Sequence, residues 1–247
     1  SASCVTGLIV YDTFSQWTVF GQIVLIILIQ IGGMGFMTII SLAALATGRK
    51  IGLKERSVLS ESVNNPELGG IIRMVKKIAT GTFICEGIGA LLLSTRFIPK
   101  IGLLQGIGNS VFLAISAFCN AGIDLFGETS LSVYVSNPLV NITTIGLIIV
   151  SGLGFIVWWD LWDKFRKVLR KELSPSRVFR VLRLQSKLVL TMTGILVFSG
   201  TFLVFIFESG NPATLKGAPL GTKIMASFFQ SVTTRTAGFY TMDQSLL

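Results

Sequence analysis

Long runs without a charged residue constrain this chain more than any other feature. Residues 13–48, 129–159 and 188–207 contain no Asp, Glu, Lys or Arg, and residues 78–95 contain only Glu86. A helix needs about 20 consecutive apolar residues to cross the hydrocarbon core of a bilayer. The mean hydropathy of +0.74 and the charged fraction of 13% agree with burial in lipid. We therefore expect an all-α membrane protein with four segments of spanning length.

The residues that most catalytic and metal sites need are scarce. The chain has no histidine, and its three cysteines, Cys4, Cys85 and Cys119, lack a paired spacing. Zinc sites and Ser-His-Asp or Cys-His catalysis depend on such residues. A membrane enzyme or a small-solute carrier would need polar groups inside the membrane, and Glu86 is the only acid inside a predicted span. We therefore expect neither enzymatic activity nor a resident cofactor.

Most basic residues fall in two loops between the predicted spans. Sixteen of the 21 Lys and Arg residues lie in residues 49–77 and 161–187. Lys and Arg are enriched in cytoplasmic loops of membrane proteins, so we place both loops in the cytoplasm. The net charge of +9 then reports topology and not nucleic-acid binding. Asp160, Asp163 and three tryptophans border the second loop, where an aromatic belt is expected.

The sequence contains a long internal repeat. Ser-Ala-Ser-Cys-Val-Thr-Gly at residues 1–7 matches Ser-Ala-Phe-Cys-Asn-Ala-Gly 115 residues later, at 116–122, and residues 233–239 give a third, weaker copy. Gly33-Met-Gly-Phe recurs as Gly152-Leu-Gly-Phe at an offset of 119. Membrane channels and transporters are often built from repeated modules. We predict direct repeats, each made of a helix, a glycine motif, a second helix and a cytoplasmic loop.

The two cytoplasmic loops determine how the glycine motifs meet the membrane. The spans on either side of residues 102–123 each have one end in the cytoplasm, so their other ends lie outside. One further crossing by residues 102–123 would put the second basic loop on the wrong side. This apolar segment must therefore enter the membrane and return, with a short pore helix ending at 112–119 and an extended return at 120–124. We expect a similar re-entrant segment at residues 223–241.

Gly7, Gly122 and Gly238 mark the turning points of these segments. Non-helical backbone at membrane depth needs partners for its carbonyl groups, and a dehydrated cation is such a partner. Glycine allows positive φ, which lets neighbouring carbonyls point at a common axis. The negative ends of the preceding pore helices also favour a cation. A single glycine of this kind is usually a tight turn or a close helix contact, but three in register favour a shared function.

Four further glycines lie within the long apolar segments. They are Gly33, Gly35, Gly152 and Gly154. Close packing between helices is the common reason for glycine at such positions in membrane proteins. We therefore expect them to pack against neighbouring helices and not to bind an ion.

Charged residues near the motifs have several possible roles. An acidic residue follows each glycine motif: Asp12, Asp124 and Asp243. These three carboxylates either concentrate cations at an outer mouth of the pore or cap the next helix. Glu86 lies inside a span, which marks it as functional. Arg235 would repel a cation, so its side chain should point behind the filter. Glu86 and Glu208 are its possible partners, and an anion pore is the less favoured explanation of this arginine.

The motifs give the chain a family resemblance. At residues 4–8, 29–37 and 233–239, with support from 116–122, it resembles the Trk/Ktr/HKT superfamily of K⁺ uptake proteins, most closely the membrane subunit of the bacterial Ktr system. That family places four helix–pore loop–helix repeats, with re-entrant pore helices, around one pore. The resemblance implies these domains: 1–48, the end of repeat 1; 49–77, a cytoplasmic loop; 78–160, repeat 2; 161–187, a basic cytoplasmic loop; and 188–247, the start of repeat 3. We expect the gating segment and the fourth repeat to lie outside the chain, which alone should not form a closed pore.

The resemblance also implies a selectivity filter built from backbone carbonyls. Its residues are Cys4, Val5, Thr6 and Gly7 in the first repeat, Cys119, Asn120, Ala121 and Gly122 in the second, and Arg235, Thr236, Ala237 and Gly238 in the third. K⁺ is the implied ion, because members with serine at the first glycine are associated with Na⁺, and Gly7 is glycine. A homodimer and a cytosolic nucleotide-binding regulatory subunit are implied as well. The two basic loops would contact either that regulatory subunit or anionic lipid headgroups.

The predicted function is that of a pore-forming subunit for K⁺ uptake. We expect a multi-pass protein of a bacterial plasma membrane that contacts lipid and does not bind nucleic acid. K⁺ uptake of this kind would be driven by the membrane potential, with Na⁺ as a candidate modulator. Two alternatives stay open: the same fold passing Na⁺ as freely as K⁺, and a truncated paralogue that does not conduct.

Overall fold

The computed structural model describes residues 1–8, 12–35, 38–39, 71–212 and 214–242. Within these ranges the regular secondary structure is helical, and no strand is present. The α-helices are α1 (Thr13–Gln16), α2 (Val19–Met34), α3 (Ile71–Ile101), α4 (Leu103–Cys119), α5 (Pro138–Gly152), α6 (Phe155–Leu169), α7 (Val178–Val181), α8 (Leu184–Glu208) and α9 (Leu220–Thr236). Short 3₁₀ turns lie at Gly127–Thr129, Ser132–Tyr134 and Pro175–Arg177. The predicted all-α class is confirmed.

Several of these helices have the length and composition of membrane spans. α3 and α8 are each long and apolar enough to cross a bilayer. α5 and α6 pass the same test together, but they are bent by 103° at the break between them. α2 and α4 are apolar and shorter, at 16 and 17 residues. Within the described residues, two helices, or three if the bent pair is one span, could therefore cross a membrane, and broken and re-entrant elements accompany them. Most of the first basic loop lies outside the described residues.

The described chain divides into two compact units, of which the first contains Ser1–Ser130 and Ala237–Phe239. Its centre is α4, which packs along α3 and against α2. Gly106 allows the backbones of α3 and α4 to approach, because a Cβ built there would lie 2.7 Å from the Cα of Ile98. The buried core beside α2 and α4 consists of Ala2, Ile29, Phe112, Ala121, Ile123 and Leu125. This core holds the first two glycine motifs next to α4.

The second unit contains Leu131–Thr236 and Tyr240–Leu247. α8 packs against α9, and α9 packs against α5. The hydroxyl of Ser231 on α9 donates to the carbonyl oxygen of Val197 on α8 at 2.9 Å. α9 has 17 residues, the same number as α4, and each follows a long apolar helix. This order of helices agrees with the predicted repeat. The two compact units do not coincide with the repeats, so the repeat boundaries stay a prediction.

Two of the four glycines in the long apolar segments stand at helix breaks. α2 ends just before Gly35, which has a φ of 82°, and Gly154, with a φ of 83°, is the N-cap of α6 after α5 ends at Gly152. Among the residues that the structure describes, a Cβ built on Gly152 or Gly154 would meet no atom within 4 Å. Among the described residues the predicted close packing is therefore wrong for these two. At Gly154 the reason for glycine is instead its positive φ with extended ψ, a conformation that glycine alone adopts readily. The prediction is confirmed for Gly33, where a Cβ would overlap the sulfur of Cys119.

Candidate functional site: three glycine turns

The second glycine motif closes the C-terminus of α4. α4 ends just before Asn120, which has a left-handed backbone with a φ of 58°. The N–H of Asn120 donates to the carbonyl of Ala117 at 3.2 Å, and the N–H of Ala121 donates to the carbonyl of Ser116 at 2.8 Å. These two bonds form a Schellman motif, which satisfies the last carbonyl groups of a helix. The chain then leaves α4 directly into the glycine turn.

The first motif has the same hydrogen bonds 115 residues earlier. The N–H of Val5 donates to the carbonyl of Ala2, and the N–H of Thr6 donates to the carbonyl of Ser1, both at 3.3 Å. Val5 occupies the position of Asn120 and also has a positive φ, of 52°. A β-branched residue rarely adopts this conformation, so the surrounding structure must hold it there. The repeat found in the sequence therefore extends to the backbone geometry.

All three motif glycines have positive φ, at 72° for Gly7, 68° for Gly122 and 83° for Gly238. The third turn differs in one respect, because α9 runs to Thr236 and so ends one residue closer to its glycine than α4 does. Residues other than glycine rarely adopt such φ values. The local backbone thus explains why glycine stands at each of these positions.

The structure brings the three turns side by side. A Cβ built on Gly7 would lie 2.8 Å from the carbonyl oxygen of Ala121 and 3.8 Å from the Cα of Gly122. A Cβ built on Gly122 would overlap the carbonyl oxygen of Ala237 and lie 3.1 Å from the Cα of Gly238. Each of these two glycines thus faces the carbonyl that precedes the next glycine. Repeated units that are arranged around a common rotation axis contact one another head to tail in this way.

The surroundings of the predicted filter residues differ between turns. Ala121 and Ala237 are buried, whereas Cys4 and Thr6 are exposed. The first turn is held from one side by α2, since a Cβ on Gly32 would overlap the carbonyl oxygen of Ser3. The polar atoms nearest a Cβ built on Gly7 or Gly122 are therefore backbone oxygens. In the ranges that the structure describes, no three His, Cys, Asp or Glu side chains are grouped as a metal site would require.

Glu86 of α3 lies buried beside the second turn. The amide nitrogen of Gln30 donates to both of its carboxylate oxygens, at 3.0 and 3.2 Å. The sulfur of Cys119, the last residue of α4, lies 3.9 Å from Oε1. Polar residues within a membrane are held by such partners on neighbouring helices. This side chain therefore links α3 to α2 and to the end of α4.

Arg235 reaches a hydroxyl group on α8. Its Nη2 donates to Oγ1 of Thr193 at 3.5 Å, which is a long hydrogen bond. Glu208 accepts hydrogen bonds from two residues of the loop after α8, and Glu86 is bound as described above. The structure thus gives Arg235 a neutral partner on α8, and its pairing with Glu86 or Glu208 stays a prediction.

Two of the three motif acids cap local turns. Asp12 is the N-cap of α1. Asp124 accepts the N–H of Phe126 at 3.0 Å and the hydroxyl of Ser130. Burial acts to raise the pKa of Asp12, but hydrogen bonds from the first turn of α1 outweigh it and lower this pKa, whereas burial raises the pKa of Asp124. Both acids thus have a structural role, their role at an outer mouth stays a prediction, and Asp243 lies outside the described residues.

Three residues of this site were not predicted: Gln30, Gly32 and Ser116. The hydroxyl of Ser116 accepts the N–H of Ile123 at 3.1 Å, which ties the return path to the end of α4. Gln22 and Gln30 are the two amides of the otherwise apolar α2, and an amide in such a helix was an available signal for a partner of Glu86. Gly32 carried no separate signal, because it adjoins Gly33.

Spanning helices, shorter apolar helices that end in glycine turns, and the contact between three such turns define an α-helical membrane protein of the class that contains ion channels and transporters. The whole chain, residues 1–247, matches the model of the TrkH family, described as cation transport proteins. The chain belongs to this family.

Individual relatives agree with this assignment. The chain is 44% identical over 243 residues to the Ktr system potassium uptake protein B of Bacillus subtilis. The matched region covers 98% of this chain and 52% of that protein. It is 38% identical to the protein of the same description from Vibrio alginolyticus, and 39% identical to the potassium/sodium uptake protein NtpJ of Enterococcus hirae, each over 98% of this chain and 51% of the relative. The chain thus spans about half the length of these relatives. Together with the apolar helices described above, the family match confirms the predicted location in a bacterial plasma membrane.

Proposed function

We propose that this chain forms part of the pore of a K⁺ uptake protein and that its three glycine turns supply carbonyls to a selectivity filter. The observation that carries the proposal is the contact between the turns, in which Gly7 faces the Ala121 carbonyl and Gly122 faces the Ala237 carbonyl. Turns related in this way surround an axis with backbone oxygens. Carbonyl rings of this kind replace the hydration shell of K⁺ in selective channels.

The local chemistry of the turns supports a cation. α4 ends at the second turn, and the C-terminal end of a helix carries a partial negative charge. The strained left-handed backbone at Val5 and Asn120 is of the kind that accumulates at functional sites. Its repetition in two copies argues against an accidental distortion. A cation held by these oxygens would be stabilised without any charged side chain in direct contact.

Na⁺ permeation is the second candidate. The observation that favours it is the 39% identity to a relative described as a potassium/sodium uptake protein. Gly7 favours K⁺, because the resemblance associates serine at that position with Na⁺. The positions of Asp12 and Asp124 near the first and second turns would serve either ion, by raising the local cation concentration.

Ion uptake by the product of the intact gene tests the proposal. Cells that lack their own K⁺ uptake systems would be given this gene, and rubidium and sodium uptake would be measured separately. Rubidium uptake well above sodium uptake, abolished by excess K⁺, is the expected result. Sodium uptake equal to that of rubidium would support the second candidate, and uptake of neither ion would contradict both.

The repeat boundaries and the partners belong to the same proposal. The matched hydrogen bonds of the first two turns and the helix breaks at Gly35 and Gly154 support the division into repeats. A homodimer and a cytosolic nucleotide-binding regulatory subunit rest on the family alone. Light scattering of the purified protein would test the dimer, and a nucleotide-dependent change in rubidium uptake on adding the candidate regulator would test the second partner.

A further inference from the structure

α6 leaves α5 through a nearly right-angled bend. The two helices differ in direction by 103° across the break at Gly154. The indole N–H of Trp158 donates to the carbonyl oxygen of Val150 at 2.6 Å, which satisfies a carbonyl group near the end of α5. α5 is the apolar part of the predicted span 129–159, so a helix perpendicular to it runs along the plane of the membrane.

A buried acid determines the depth of α6. Asp160 accepts the backbone N–H of Arg183, the N-cap of α8, at 2.9 Å. The same carboxylate lies 3.7 Å from the ammonium group of Lys164. α8 has 25 residues and is long and apolar enough to cross a bilayer, so its N-cap lies near the membrane surface. The middle of α6 is therefore held at the level where the bilayer begins.

One face of α6 is apolar along its whole length. Residues three or four apart share a helix face, and here they are Phe155, Trp158, Trp162, Phe165 and Leu169. The solvent-exposed fraction is 48% for Trp162, 52% for Phe165 and 67% for Leu169. The rings of Trp162 and Phe165 stack, with centroids 6.0 Å apart. A contiguous exposed face of this kind marks a surface that meets another apolar phase.

Basic side chains accompany this apolar face. The guanidinium of Arg166 lies 5.3 Å from the centroid of the Trp162 ring. Lys167 pairs with Asp163 at 3.4 Å, where both side chains remain about half exposed. The exposed basic residues of α6 and the segment after it are Arg166, Lys167, Arg170, Lys171, Arg177, Arg180 and Arg183. A basic polar face opposite Trp, Phe and Leu is typical of helices that lie in a lipid interface.

We propose that α6 lies in the cytoplasmic headgroup layer of the membrane and binds anionic phospholipid. Its apolar face enters the boundary between headgroups and acyl chains, and its basic residues contact the headgroup phosphates. The depth set by Asp160 and the exposed aromatic face favour lipid over a cytosolic protein, which would meet the basic residues alone. The inference is independent of ion conduction, because it uses no residue of the glycine turns.

The depth of Trp162 is the first test. The product of the intact gene would be placed in nanodiscs of phosphatidylcholine brominated either near the headgroup or near the chain ends, and tryptophan quenching would be compared with that of the Trp162→Phe variant. We expect this substitution to remove a component that headgroup-proximal bromine quenches more strongly. If the Trp162 component escapes quenching by both lipids, the face is in water, available to a cytosolic protein, and the proposal is overturned.

The preference for anionic lipid is the second test. Each basic residue near an anionic surface strengthens binding about fivefold, so the triple variant Arg166→Gln, Lys167→Gln and Arg170→Gln should lower the apparent affinity for phosphatidylglycerol about 100-fold. Lys216→Gln, which changes an exposed lysine between α8 and α9, is the matched control and should change nothing. Equal affinity of the triple variant and the wild type would overturn the proposal. So would competition by inorganic phosphate as strong as that by phosphatidylglycerol, since it would indicate a site for a free anion.

Discussion

Two groups of glycines in this protein share a backbone conformation and differ in the space around them. Gly7 and Gly122 at the turns, like Gly35 and Gly154 at the helix breaks, occur in repeat-related pairs with positive φ. At the turns a Cβ would press on a neighbouring carbonyl group, whereas at Gly154 it would meet nothing within 4 Å. The breaks therefore need glycine for its backbone freedom alone. The turns need it also because other backbone occupies the place of a side chain.

Substitution of Gly122 should have the largest effect on transport. In Gly122→Ser the new Cβ overlaps the Ala237 carbonyl oxygen, and the unfavourable φ adds strain of about 1–3 kcal/mol. We expect rubidium uptake to be lost, or the preference for K⁺ over Na⁺ to fall about tenfold, a change of ~1.4 kcal/mol. Uptake assays with both ions check this, with membrane insertion followed by immunoblot. An unchanged preference in an inserted protein would place the filter elsewhere.

Loss of the acid behind the second turn should have the next largest effect. Glu86→Ala leaves the amide of Gln30 without its acceptor, and a buried donor without a partner costs about 1–3 kcal/mol. We expect rubidium uptake to fall several-fold, whereas Glu86→Gln, which keeps a hydrogen-bonding side chain, should retain more activity. Glu172→Ala, at an exposed position in the loop after α6, is the control. Equal uptake by Glu86→Ala and the wild type would show that this link does not support the turn.

The hydroxyl that holds the return path should matter for stability more than for uptake. Ser116→Ala removes the acceptor of the Ile123 N–H, so the melting temperature should fall by an amount that corresponds to about 1–2 kcal/mol. Ser110→Ala is the matched control, because the Ser110 hydroxyl donates only to the Gly106 carbonyl of its own helix. Thermal unfolding of the purified protein compares them. If Ser110→Ala lowers the melting temperature more than Ser116→Ala does, the Ser116 hydroxyl does not hold the return path.

The helix break should be the least sensitive for ion selectivity. Gly154→Ala meets no steric obstacle but must adopt a φ that alanine avoids, at a cost of about 1–3 kcal/mol. We expect a lower melting temperature and an unchanged ratio of rubidium to sodium uptake. Gly146→Ala, inside α5 and also with open space at its Cβ, should instead be neutral or stabilising by about 1 kcal/mol. A selectivity change in Gly154→Ala would end the distinction between the two groups of glycines.

The contact between the glycines was predictable in outline, because three copies in register imply equivalent surroundings. The sequence could not predict which atoms touch. That each of the first two glycines faces the carbonyl preceding the next glycine follows from the tertiary structure alone. The offset of 119 between Gly35 and Gly154 contained the signal for paired helix breaks, but a charge-free run shows only that a segment is apolar. Glu86 was recognised and Gln30 was missed, because pairing opposite charges overlooks neutral donors. The neutral partner of Arg235, Thr193, was missed for the same reason.

Anomalous scattering from rubidium ions tests the central claim most directly. Crystals of the intact gene product grown with a rubidium salt would be measured at the rubidium absorption edge. The account predicts a rubidium peak at coordination distance from the backbone carbonyl oxygens of Thr6, Ala121 and Ala237. Peaks confined to carboxylates such as Asp12 and Asp124, with none between the glycine turns, would contradict it.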